Sequence, residues 1–402
     1  MNKYLILSLF SCMMFFYSCS EENNLTPVTA DPTIPGQVTN VRTEALPGAV
    51  KLTYDMPAGQ NLSYVKAECL MKNGVVRQAK ASSYINNLTL EGFGDESEYT
   101  VNLYSFNRSE KSSAPTTVRV TPLEPNFRIV RKNLQLIGDF SGATVIFDNP
   151  NEADLAINII YVDSTGFWND GESFYTKRKE GEVTLRGFKP EKTTFGVFLR
   201  DRWDNATDTL VEEVTPLFEK ELDRLKFREA RLANDAPYGG WGWVMTNLWN
   251  GTIGTPGYVI ADNGPLPQWL TMDLGVEKGA TLSRIAIWNR NDGTVAASYA
   301  AQCVKKFEVW GCLDTPTPDG SWDCWTHLLD AEIIKPSGLP MGVASDEDAQ
   351  AILAGFDFKF PGGVPLVRYI RIKVTATWGG DYIFNFSGLK FWGAEPDDLN
   401  TQ

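Results

Sequence analysis

Apolar and polar side chains alternate in short runs along most of this chain. Val50, Leu52 and Tyr54 alternate with Lys51, Thr53 and Asp55, the period of two that turns one face of a β-strand to a core and the other to water. Similar runs occupy 38–44, 65–71, 75–80, 84–90, 99–106 and 116–121, separated by Gly, Pro, Asn and Asp. About seven strands in so short a stretch predict a β-sandwich. Further strands are predicted at 269–274, 282–288, 306–311, 356–360, 368–374 and 389–392, with Gly, Pro and Trp crowding their connections, as in an antiparallel jelly roll. Between these regions, Phe218, Leu222 and Leu225 recur at helical spacing among Glu, Lys and Arg, which predicts a short amphipathic linker helix.

The sandwich pattern occurs twice. Asp55-Met56-Pro57 returns as Asp148-Asn149-Pro150, Leu90-Glu91-Gly92-Phe93 as Leu185-Arg186-Gly187-Phe188, and Val120-Thr121-Pro122-Leu123 as Val214-Thr215-Pro216-Leu217. The offsets are 93 (150−57), 95 (187−92) and 94 (216−122). A repeat of that length is a domain, not a solenoid unit. The segment 90–120, with Glu98-Tyr99-Thr100-Val101 inside it, resembles a fibronectin type III domain. In that family a tyrosine at this place caps a corner of the sandwich. In the second unit Phe195 takes the place, so the hydroxyl is lost.

In the last third, Trp269-Leu270-Thr271-Met272-Asp273-Leu274-Gly275 is followed by Ile285-Ala286-Ile287-Trp288-Asn289-Arg290. Then come Phe307-Glu308-Val309-Trp310-Gly311 and Arg368-Tyr369-Ile370-Arg371-Ile372. This order resembles a discoidin (coagulation factor type C) domain. The expected fold is therefore all-β: two tandem immunoglobulin/fibronectin-like β-sandwiches, a short linker helix, and a discoidin-like β jelly roll. The expected boundaries are 1–18 for a signal peptide, 19–35 for a flexible tether, 36–122 and 123–218 for the sandwiches, 219–235 for the linker helix, 236–394 for the jelly roll and 395–402 for a tail. Trp269, Trp288 and Trp310 are read as core, and His327 as packed beside Trp325.

The N-terminus sets the cell biology. Met1-Asn2-Lys3 is basic, and the apolar run from Tyr4 to Tyr17 is shorter than the about 20 residues a bilayer-spanning helix needs. It ends in Phe16-Tyr17-Ser18-Cys19, which resembles a bacterial lipobox, with Cys19 as the lipidated residue. Ser20-Glu21-Glu22 resembles the export signal of Bacteroides lipoproteins displayed on the outer face of the outer membrane. The three-part arrangement resembles Bacteroides lipoproteins found beside glycan-import systems. Those resemblances imply an outer-membrane, lipid-anchored protein, facing the cell exterior. They imply carbohydrate as ligand, with an outer-membrane glycan transporter and its companion lipoprotein as partners.

Composition removes several alternatives. The formal charge is −13, which argues against nucleic acid as a partner. His327 is the single histidine, so multi-histidine metal sites and Cys-His dyads are excluded. Cys312 and Cys324 flank a segment containing Pro316, Pro318, Asp319 and Gly320 that reads as a turn. They either pair across a hairpin or remain, with Cys69 and Cys303, four free buried thiols; the residues leave both readings open. No Gly-x-Ser-x-Gly elbow, His-Glu-x-x-His helix or phosphate loop occurs.

Sugar recognition needs aromatic faces for the C–H patches of a pyranose and planar polar groups for its hydroxyls. Three loops offer both. One, 237–257, carries Trp241, Trp243 and Trp249. A second begins Asn289-Arg290-Asn291-Asp292. The third is Trp378-Gly379-Gly380-Asp381-Tyr382, whose glycines are expected to let the Trp378 ring stand clear of the backbone. The glycan-binding candidates are therefore Trp378, Tyr382, Asp381, Arg290, Asn289, Asp292, Trp241, Trp243 and Trp249. The discoidin resemblance implies a structural calcium, yet Asn250 and Ser387-Gly388 stand where acidic residues are expected, so no cofactor is assigned and calcium is at most weakly held. The expected function is non-catalytic glycan capture for uptake. The alternatives are an adhesive lipoprotein docking on a transporter or host glycoprotein, or an accessory glycoside hydrolase.

Overall fold

In the first sandwich, strands β1 (Thr39–Leu46), β2 (Ala49–Asp55) and β5 (Asn87–Glu91) form one sheet in the order β1-β2-β5. β3 (Leu62–Leu70), β4 (Val76–Ser82), β6 (Tyr99–Asn107) and β7 (Thr116–Val120) form the other, in the order β4-β3-β6-β7. The structure is a computed structural model and describes residues 32–399 except 60, 255–256, 262–263 and 291–293. Cys19, the expected signal peptide and Asp292 lie outside the described residues. No helix among the described residues is long and apolar enough to cross a membrane.

The alternation read in the sequence is the burial pattern. Val50, Leu52 and Tyr54 join Val65, Ala67, Val101 and Leu103 in one core, each large aliphatic side chain contributing about 1.5–3 kcal/mol. Tyr99 closes the corner. Its hydroxyl donates to Asp95 Oδ1 at 2.9 Å, and its ring meets Phe93 edge-on at 4.9 Å.

The second repeat contains α1 (Asn126–Lys132) and strands β8 (Gln135–Asp139), β9 (Gly142–Asp148), β10 (Leu155–Val162), β11 (Trp168–Thr176), β12 (Glu180–Arg186), β13 (Thr193–Asp201) and β14 (Leu210–Val214). Its sheet orders, β12-β9-β8 and β11-β10-β13-β14, reproduce those of the first repeat strand for strand. At its corner Phe195 meets Phe188 at 4.8 Å, an apolar version of the Phe93–Tyr99 pair. The periodic pattern did not predict α1, a single short helix that buries Phe127 and Val130.

The C-terminal sandwich contains β15 (Lys220–Glu221), β16 (Arg228–Glu229), β17 (Tyr258–Val259), β18 (Gln268–Asp273), β19 (Thr281–Trp288), β20 (Val304–Cys312) and β21 (Thr326–Glu332). It continues with α2 (Asp346–Ala354), β22 (Phe356–Lys359), β23 (Tyr369–Thr377), β24 (Asn385–Phe386) and β25 (Gly388–Ala394). Sheets β15-β25-β19-β22 and β16-β18-β23-β20-β21, with the small pair β17-β24, enclose Ile285, Ile287, Phe307, Ile370, Ile372 and Phe391. By compactness the chain divides into two units. One holds residues 32–136 with 145–183 and 196–211; the other holds 137–144, 184–195 and 212–399.

Two expectations are corrected here. The linker helix does not form. Lys220–Glu221 instead pairs with β25 and Arg228–Glu229 with β18, leaving one 3-10 turn at Arg224–Lys226. Leu222 and Phe227 are core residues while Leu225 is 77% exposed. The two buried positions are five apart, which one helix face does not accommodate, and the sheet edges satisfy more backbone groups than a solvated turn of helix. The segment therefore belongs to the C-terminal sandwich.

Trp269 and Trp310 are not in the inner core. Their strands turn Leu270, Met272, Phe307 and Val309 inward, so period two sends both indoles to the opposite face. There Trp322 meets Trp269 at 5.2 Å and Trp310 at 5.1 Å, and the Arg371 guanidinium lies 4.4 Å from the Trp322 ring and 4.6 Å from Trp325. A Cys312–Cys324 disulfide, with Cα atoms 5.6 Å apart, ties down the loop that brings Trp322 to this face; Cys69 and Cys303 are free and buried. His327 packs on Trp310, ring centroids 5.0 Å apart.

Candidate functional site

The loops selected from sequence meet at one end of the C-terminal sandwich. The Arg290 guanidinium lies 5.3 Å from the Trp243 ring, a cation–π distance. Ser298 Oγ donates to the Arg290 carbonyl at 2.6 Å, and the Gly379 amide donates to the Ala301 carbonyl at 2.7 Å. Gln268 Nε2 donates to the carbonyls of Gly264 (2.7 Å) and Tyr382 (3.5 Å). These contacts link the loops that carry Trp243, Arg290 and Tyr382 into one surface.

Within that surface the candidates separate by exposure. Trp241 is 86% exposed and Tyr382 51%; Asp381 is exposed, and Trp243 and Arg290 are half-buried. Trp241 is held unusually. Gly240, Trp241 and Gly242 have φ of +96°, +57° and +73°, three consecutive residues in the left-handed region. Glycine adopts it freely, but a tryptophan there costs about 1–2 kcal/mol. The Asn247 side chain braces the turn by donating to the Gly242 carbonyl at 2.9 Å and to that of Gly257 at 2.8 Å.

Other candidates serve as scaffold. Asn289 is buried, and its Nδ2 donates to the carbonyls of Ser298 (3.2 Å) and Val304 (3.0 Å), clamping the loop that carries Arg290. Trp249 is a core residue whose ring meets Phe227 edge-on at 6.1 Å. Trp378 does not stand clear of the backbone as its glycines suggested. Its ring packs edge-on against Tyr299 at 5.5 Å, and Lys305 Nζ lies 4.8 Å from its ring centroid. Its amide donates to the Cys303 carbonyl, and the apolar floor draws the indole inward.

Sequence reasoning missed what supports that floor. Lys335 is 4% exposed, with its ammonium 5.5 Å from the Tyr299 ring. It donates to the carbonyls of Leu339 (3.2 Å) and Pro340 (3.1 Å), and also to that of Val343. Asp348 Oδ2 stands 4.0 Å from it. Asp348, the N3 residue of the α2 capping box, also accepts from Ser337 and Ser345. Burial raises its pKa, but these hydrogen bonds and the Lys335 charge outweigh burial and hold the carboxyl below its ordinary value. An internal ammonium thus gathers carbonyls as a metal ion does. Nothing in the local sequence, Ile334-Lys335-Pro336-Ser337-Gly338, distinguishes this lysine from a solvated one.

The positions considered for calcium are engaged within the protein. Asn250 Oδ1 accepts from the Thr252 amide at 2.7 Å, and Ser387 Oγ donates to the Asn289 carbonyl at 2.6 Å. Among the described residues no group of three or more His, Cys, Asp or Glu side chains is placed to hold a metal ion.

Three family profiles cover the chain in turn, each described as a domain of unknown function: DUF4959 over 35–122, DUF5126 over 123–225 and DUF5000 over 249–393. Among solved structures, the SusE-like protein BT2857 is 34% identical, over 67% of this chain and 99% of its own, with a TM-score of 0.44. A two-fibronectin type III segment of chicken tenascin is 12% identical (45% of this chain, 99% of that one, TM-score 0.21). The C-terminal domain of a Bacteroides fragilis chitobiase is 14% identical (44% of this chain, 98% of that one, TM-score 0.30). These last two likenesses are too low to bear on function. No curated protein matches the chain.

Proposed function

This chain belongs to the SusE-like family, and from that premise we propose that it captures a glycan, without catalysis, at the outer-membrane surface. In this reading lipid on Cys19 anchors it to the outer membrane, facing the cell exterior. The two fibronectin-like sandwiches are spacers, and the loop end of the discoidin-like jelly roll holds the sugar. The protein works beside an outer-membrane glycan transporter and its companion lipoprotein, handing over what it binds.

The observation that carries the reading is the Gly240-Trp241-Gly242 turn. An indole 86% exposed on a strained left-handed residue is unfavourable for the isolated chain, and such strain persists where surrounding structure enforces it for a use. An exposed aromatic face is what a pyranose ring stacks on. Trp243 with Arg290 on one side, and Asp381 and Tyr382 on the adjoining loop, supply the second aromatic surface and the planar hydrogen-bonding groups.

A glycan array with the mature, lipid-free chain tests it, with Trp241→Ala and Tyr382→Ala alongside. Selective binding by the parent, weakened at least tenfold in Trp241→Ala with an unchanged melting temperature, is expected. A folded parent that binds no glycan sinks the reading in favour of protein docking, and release of reducing sugar by the pure chain would restore an enzymatic one.

A further inference from the structure

A cleft of about 320 Å³ opens between the ends of β15, β25 and β19 and the 3-10 turn Met245–Trp249, within the about 300–1,000 Å³ range of small-ligand pockets. Two glycines create it. Gly388 leaves a gap where a Cβ would stand 3.4 Å from Ile253 and 3.5 Å from Trp288. Gly251 has φ +96° and lies so close to the Arg224 guanidinium that any Cβ would overlap it. Only glycine at 251 lets the guanidinium lie along the cleft wall. The rest of the lining is largely apolar: Trp249 and Trp288 are nearly buried, and Ile253 is 41% exposed.

Arg224 differs from the arginines around it. Arg284 is spent on Glu219 and Asp357, Arg368 on Asp273, Arg371 on Asp235, and Arg228 on the carbonyls of Leu225 and Phe227. The exposed Arg224 side chain meets no carboxylate and donates no hydrogen bond among the described residues. The other charges lining the cleft are Lys390 and Glu221, which pair at 3.1 Å. Two cations and one anion leave a positive excess on a chain whose formal charge is −13. A planar, unengaged guanidinium beside an apolar wall suits a ligand with one apolar face and one anionic group. The acidic surface repels a densely charged polymer but not a single charge held within one Debye length, about 10 Å at 0.1 M salt, of Arg224.

We propose that this cleft is a second glycan subsite, taking a sugar residue that bears one carboxylate or sulfate group. The ring lies against Ile253 and the edges of Trp249 and Trp288, and the anionic group takes the Arg224 fork. The proposal rests on the reading of the chain as a glycan-capturing protein but uses residues outside the Trp241 surface, so the two fail separately.

The test is calorimetric titration of the mature, lipid-free chain with a galacto-oligosaccharide carrying a single galacturonate, one carrying a single sulfate group, and their neutral counterparts. Acidic ligands are expected to bind more tightly than neutral ones, with affinity falling as salt rises. Arg224→Gln should weaken them at least tenfold, Arg224→Lys less, and Gly388→Leu, which fills the gap, comparably to Arg224→Gln; Trp241→Ala should leave this preference intact. The two acidic probes decide between carboxylate and sulfate. Equal binding of acidic and neutral ligands, no binding of acidic ones, or acidic binding unchanged in both Arg224→Gln and Gly388→Leu would overturn the proposal. Neutral binding that depends on Trp241 would in each case leave the loop-end reading standing.

Discussion

Among the described residues of the first sandwich, the buried polar positions are Ser105, Asn107 and Ser113, none of them charged. The C-terminal sandwich buries Asp235, Lys335, Asp348 and Arg371. These charges serve stretches that are not regular, although Asp348 itself lies in α2 and Arg371 in β23, where it donates to the Gly320 carbonyl at 3.2 Å. Asp235 holds the Leu232 amide at 3.1 Å and the Thr271 hydroxyl at 2.8 Å; Lys335 and Asp348 gather 337–345. Alternating apolar residues are enough to build sheets, whose backbone groups satisfy one another. A long loop held in one shape needs donors and acceptors from elsewhere, and a buried charge supplies several at once. Of these two domains, the one whose loops are proposed to recognise a ligand uses this device.

Breaking the device should cost most. Lys335→Met leaves three carbonyls and Asp348 without their cation, so denaturant unfolding should show a loss of about 3–5 kcal/mol. Lys66→Met, on the open face of the first sandwich where Lys66 pairs with Glu68, should change stability by less than about 1 kcal/mol. Equal effects would erase the contrast between the two domains.

Arg371→Met comes next, at about 3 kcal/mol near neutral pH, with a pH dependence of known sign. Burial pushes the Asp235 carboxyl up and the Arg371 guanidinium down, against their mutual attraction, although their atoms stand 3.7 Å apart. A carboxyl with a raised folded-state pKa contributes stability below its unfolded value, near 4, and loses it as pH rises through the folded value. Without Arg371 the buried carboxylate is worse placed, so the deficit should grow as pH rises above about 4. A deficit independent of pH would show that the loss comes from tryptophan packing alone.

Tyr99→Phe, which converts the first corner into the apolar form of the second, should cost about 1 kcal/mol. Burial raises the Asp95 pKa, but hydrogen bonds from Lys72, Ser97 and Tyr99 outweigh it and hold the carboxyl well below its ordinary value. That contribution is present above pH 4 and lost on acidification, so parent and variant should converge in acid. The smallest stability change belongs to Tyr382→Ala, within about 0.5 kcal/mol for a surface side chain, and this variant should still lose glycan affinity.

Much of the fold was legible because sheets announce themselves locally. The run 99–106 became Tyr99–Asn107 and the run 282–288 became Thr281–Trp288, and the repeat of about 94 residues appears as one strand order realised twice. The failures share a cause. Leu222 and Leu225 were read as one helix face because sequence shows spacing but not what lies beside it; β25 lay beside it. Trp269 and Trp310 were read as core because tryptophans in β-sandwiches usually are, although period two already placed them opposite Leu270 and Val309. Asn289 and Trp378 were chosen as ligand contacts by residue type, and only packing showed that one clamps the loop and the other floors it.

The sequence by itself determined the strands, their alternation of faces, the duplicated sandwich and the three loops from which a sugar site is built, because each is a matter of neighbours along the chain. Which of the selected side chains reach solvent was decided by tertiary structure. So were the single cation that orders the 335–348 loop and the lone guanidinium beside an apolar cleft. Those properties depend on segments far apart in sequence, and burial and charge act through space.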